Sequence, residues 1–154
     1  MYHFIYPTKD TYIISDNKAR KKYMFDNITE QKNFGGEKNL ILRKEYDASS
    51  GLQYAVSVSR ILLHFNLNEL SQSVFNNEIS SGSKYNLRLY ERKTSELAST
   101  YELRAYQLFE SPDVGINFSK WSEGSGTSKQ NPNNSDGASW RKLNENFDHT
   151  KWYI

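Results

Sequence analysis

Hydrophobic and polar positions alternate most cleanly over residues 57–67, Ser-Val-Ser-Arg-Ile-Leu-Leu-His-Phe-Asn-Leu. From Arg60 onward, Ile61, Leu63, Phe65 and Leu67 fall on one side, and Arg60, Leu62, His64 and Asn66 on the other. A period of two sends successive side chains to opposite faces of a sheet. Branched and aromatic residues suit that pleated, half-buried surface. The stretch therefore predicts a central strand, with Ile61, Leu63 and Phe65 in the core between two sheets and Leu67 continuing their face.

Shorter patterns flank it. Residues 11–14 form an apolar run bounded by turn formers, which reads as a strand. Asn33-Phe-Gly-Gly36 is a turn signal, because glycine permits positive φ, and it leads into a second strand over residues 39–43. Residues 68–74 predict a single helical turn. Residues 85–91 and 101–107 alternate again, with Tyr85, Leu87 and Leu89 on one face and Tyr101, Leu103 and Ala105 on another. Leu87 and Leu89 join the expected core. Between Glu123 and Gly137 the chain is rich in Ser, Gly and Asn, a long polar loop of the kind that usually carries function or mobility. Residues 139–143 read as a last strand. Short strands parted by turn signals, without helical periodicity or repeats, predict an all-β antiparallel sandwich or barrel.

Composition narrows the partners. A chain of 154 residues fits one domain, residues 1–154. The net charge is +2 with 25% charged residues, so both signs are interspersed rather than gathered into the basic face that a nucleic acid requires. There is no cysteine, hence no disulfide framework and no thiolate metal site. The 11 tyrosines suit strands and contact surfaces. No apolar run approaches the ~18 residues of a membrane span. The opening residues 1–7 lack the charged and apolar regions of a secretory signal, which predicts an intact, soluble product made inside the cell.

Candidate chemistry is sparse. His3, His64 and His149 have no ligand spacing, and His64 lies on the less apolar face of the central strand, a place for an interface contact rather than catalysis. No nucleophile elbow, phosphate loop or His-Glu-x-x-His sequence occurs. Asp10, Asp16, Asp26 and Glu30 carry the oxygens that Ca²⁺ prefers, but on different turns, and they read as surface acids. The basic cluster over residues 18–22 reads as a solvated loop. The expectation is a non-enzyme with no cofactor and no metal.

Three stretches carry a family resemblance. Residues 7–13, Pro-Thr-Lys-Asp-Thr-Tyr-Ile, are similar to the first strand of the DNRLRE or disaggregatase-related jelly-roll domain, which also includes alginate-type carbohydrate-binding modules. Residues 59–67 resemble its central "S-R-x-L-L-x-F-D-L" strand. Trp121-Ser-Glu-Gly-Ser-Gly-Thr127, followed by Gly137-Ala-Ser-Trp140, resembles its "W-x-E-G-x-G … G-x-T-W" loop. The letters DNRLRE themselves are absent. The resemblance implies an antiparallel β-sandwich of jelly-roll type that lacks its final strands. It further implies a free-standing copy like those among bacteriophage virion structural proteins, located in the virion and packing against other subunits as a homo- or hetero-oligomer. The other function within the family is binding of a cell-surface or algal polysaccharide. Trp121 and Trp140 then have two readings: core plugs that pin the loop, or a stacking platform for a sugar, with burial deciding between them. Trp152, Tyr153 and Ile154 are expected to cover an open sheet edge or to insert into a neighbouring subunit.

Overall fold

The structure, a computed structural model, describes residues 4–16, 31–46, 55–92, 102–108, 110–111, 116–117, 120–127 and 136–143. Its strands are β1 (Pro7–Asp16), β2 (Lys44–Tyr46), β3 (Ala55–Phe65), β4 (Glu110–Ser111) and β5 (Ile116–Asn117), with a short helix α1 (Asn68–Phe75) between β3 and β4. β1, β3 and β2 form an antiparallel three-stranded sheet in that order, and β4 pairs with β5. The long alternating stretch thus becomes the middle strand. By contact, the chain divides into a unit of Met1–Phe65 with Leu108–Ile154 and a unit of Asn66–Gln107.

In the first unit the register fixes which residues share a face. Thr11 lies opposite Leu62 and Ile13 opposite Arg60, while Tyr12 lies opposite Ile61 and Ile14 opposite Ser59. Residues directly opposite in a ladder project to the same side. The hydrophobic cluster lies on the side of Leu62: Ile13 and Leu62 pack with Trp121, Ala138 and Leu143, and Leu108 and Trp140 lean against it. This corrects the expected core. Ile61, Leu63 and Phe65 are only half-buried, because the segments carrying Trp121 and Leu143 close over the opposite face. On their own side, Tyr12, Ile14, Ser57 and Ser59 are buried, and the Tyr12 ring stacks on Phe34 at 4.5 Å.

Four expected strands also change. The second strand begins only at Lys44, although Arg43 already runs beside β3, its N–H donating to Ser59 Oγ at 2.7 Å and its carbonyl accepting from Ser59 N. Residues 139–143 form a tight turn, with Ser139 N donating to Lys142 O at 2.9 Å. Residues 85–91 lie in no ladder, and neither do the described residues of 101–107.

In the second unit, α1 starts behind Asn66, whose Oδ1 accepts from Asn68 N at 3.1 Å. It ends where Asn77 takes a φ of 61°, a left-handed cap that asparagine tolerates. No residue of α1 is buried. Leu67, Leu87 and Leu89 were expected in the core, but each is more than half exposed. With no paired strand over residues 85–91, nothing among the described residues closes over these side chains.

Candidate functional site

The glycine-rich segment with its two tryptophans is the candidate site, and it is assembled from three distant pieces of chain: residues 33–36, 121–127 and 136–143. Their backbones are stitched together first. Ser122 N donates to Leu143 O at 3.2 Å and Ala138 N to Ser122 O at 2.7 Å. Asn33 then serves as the hub. Its side chain is fully buried. Its Nδ2 donates to Glu123 O at 2.6 Å and Ala138 O at 3.1 Å, and its Oδ1 accepts from Gly35 N at 3.2 Å and Gly126 N at 2.8 Å. One amide satisfies four backbone groups, which is its full donor capacity and both lone pairs.

The glycines permit this close approach. Gly126 has a φ of 74°, and a Cβ there would lie 2.5 Å from Gly36 N. A Cβ on Gly35 would overlap the carbonyl of Glu123. A side chain at either position would force the two turns apart.

Charged groups fasten the same loop. Both carboxylate oxygens of Asp136 accept from Ser125 N at 3.1 Å, and Ser125 Oγ donates to one of them at 2.6 Å. Glu123 Oε1 accepts from Asp10 N at 3.0 Å, tying the loop to β1. Lys9 Nζ stands 5.9 Å from the centroid of the Trp121 ring.

The expected site residues therefore separate. Trp121 is 2% exposed and belongs to the core. Trp140 is half-buried, and the Arg60 guanidinium sits 4.7 Å over its ring, a cation–π contact. Burial pushes the Arg60 pKa below its ordinary value. His64 is half-buried at the start of the sheet, its Nδ1 2.8 Å from Thr8 Oγ1. The ladder shifts register between Pro7 and Lys9, and Thr8 is the residue left over. Trp152, Tyr153 and Ile154 lie outside the described residues. Sequence reasoning missed Asn33 as the hub. The Asn-Phe-Gly-Gly signal located its turn, but not the partners 90 and 105 positions away.

Chemically, this arrangement is a clamp. The carboxylates of Glu123 and Asp136 and the amide of Asn33 are engaged in holding backbone. Among the described residues, no group of three or more His, Asp or Glu side chains gathers as a metal site, and no helix is long and apolar enough to cross a membrane. A scan against protein-family models and searches of curated proteins and of solved structures gave no match to this chain.

Proposed function

We propose that this protein is a non-enzymatic packing subunit of a bacteriophage particle, at its neck, tail or capsid surface, built on a jelly-roll sandwich of the DNRLRE and disaggregatase-related type. The observation that carries the reading is what becomes of the loop tryptophans. Trp121 is buried and Trp140 carries a guanidinium over its ring, so the loop acts as a core plug rather than as an open aromatic platform. Large apolar and aromatic side chains are instead exposed on the unit Asn66–Gln107, among them Tyr85, Leu87, Leu89 and Tyr90. Aromatic residues are enriched where proteins meet one another, and a packing subunit works by burying such residues against its neighbours. The resemblance of residues 7–13, 59–67 and the Trp121 to Trp140 loop supports both the sandwich and the virion setting.

The test is the mass and composition of the native assembly. Light scattering on particles isolated from producing cells should place the chain in a large symmetric assembly. A chain found only as a free species, with none in purified particles, refutes the reading. Binding of a cell-surface or algal polysaccharide is the second reading, and the half-buried Trp140 beside Arg60 is the observation that favours it. A glycan-array signal lost in Trp140→Ala, with the thermal transition retained, would put that reading first.

A further inference from the structure

Two segments of the unit Asn66–Gln107 have no role in the clamp. Residues 84–92 and 102–107 are exposed throughout, and residues 84–90 and 102–107 make no backbone hydrogen bond to another described residue. Yet their sequences alternate like strands, and Leu87 and Leu103 are each 53% exposed. Alternating segments with unused N–H and C=O groups are templates for strand pairing.

We propose that residues 84–88 of one copy pair antiparallel with residues 102–106 of a second copy, reciprocally about a two-fold axis. Arg88 then lies opposite Glu102, Leu87 opposite Leu103, and Tyr85 opposite Ala105. This register meets three demands together. Apolar residues share one face. Arg88, which makes no ion pair or hydrogen bond with a described residue, gains an acid. Glu102, already held by Arg104 at 2.9 Å and 3.0 Å on the same face, gains a second cation. A slip of two residues in one sense sets Arg88 against Arg104, and in the other Lys84 against Arg104. Like charges directly opposite one another are destabilising, so charge selects the register. Tyr85, Leu87 and Leu103, each more than half exposed, then share one face of the pairing. The two-fold arrangement makes the patch self-complementary.

This deepens the packing-subunit reading, on which it rests, by naming one partner as the chain itself. The experiment is charge-reversal complementation on the whole chain. Wild type should show a concentration-dependent dimer by light scattering. Arg88→Glu and Glu102→Arg should each weaken it by roughly tenfold or more, since two pairs become like-charged in every dimer. Mixing the two variants should restore it, because both cross-copy pairs are then opposite in sign. Pairing within one chain cannot be rescued by mixing. As a second measurement, Leu87→Cys and Leu103→Cys copies of this cysteine-free chain, mixed and oxidised, should yield the mixed 87–103 cross-link. A wild-type monomer at all soluble concentrations, failure of rescue, or a 87–87 cross-link in place of 87–103 would each overturn the proposal. A monomer that is still incorporated into particles would sink this inference while leaving the packing-subunit reading intact.

Discussion

Replacing Asn33 with alanine removes a side chain that joins three chain segments. The loss can be worked through bond by bond. Ala138 O and Gly126 N lose their partner in fully buried surroundings, and Glu123 O and Gly35 N in partly buried ones. A buried polar group left unsatisfied costs about 1–3 kcal/mol. Counting the two buried groups in full and discounting the two that water can reach, Asn33→Ala should cost about 3–5 kcal/mol. Asn33→Asp separates hydrogen bonding from shape. The new carboxylate can still accept from Gly35 N and Gly126 N, but it turns an oxygen toward the carbonyls of Glu123 and Ala138. Its proton would relieve that repulsion, so its folded pKa should rise above the ordinary ~3.9 of an aspartate. The folded state then binds the proton more tightly than the unfolded state, and the variant's stability falls as pH rises. Urea unfolding followed by tryptophan fluorescence measures both effects. A loss below about 1 kcal/mol for Asn33→Ala, or an Asp variant no less stable at neutral than at mildly acidic pH, would refute the account of Asn33 as hub.

Three further outcomes follow from the same packing. Leu62→Ala should cost about 2–5 kcal/mol and Leu63→Ala clearly less, because Leu62 is 4% exposed and Leu63 half-buried; equal losses in denaturant melts would mean that the closed face is misassigned. Ser57 Oγ is buried without a hydrogen-bond partner among the described residues, so Ser57→Ala should be neutral or stabilising in a thermal melt, since it removes a desolvated hydroxyl and no described bond. Burial, with Glu37 as a smaller influence, pushes the Tyr12 phenol up to about 12. The folded state holds that proton more tightly, so this contribution to stability is present below about pH 10 and is lost as pH rises toward 12; Tyr12→Phe should flatten that part of a pH–stability profile, and an unchanged slope would count against it.

The clean alternation of residues 60–65 was enough to identify the middle strand, and the apolar run at residues 11–14 located its neighbour β1. Both signals are local, and a two-residue period is enough to reveal them. Which face of β3 carries the hydrophobic cluster was not legible, because apolar residues occur on both sides: Leu62 on one, and Ile61, Leu63 and Phe65 on the other. Arrival of Trp121, Ala138 and Leu143, contributed from more than fifty positions away, decided it. The Gly-x-Gly and Trp spacing likewise marked a constrained loop, while the role of Asn33 depended on acceptors that reach it only after the chain has folded. Alternation at residues 85–91 recorded a capacity for strand pairing, but a strand needs a partner to complete its hydrogen bonds. The sequence by itself determined where strands could form; the tertiary structure decided which of them found a partner and which apolar face was covered, because ladder hydrogen bonds and burial are both made between segments that lie far apart along the chain.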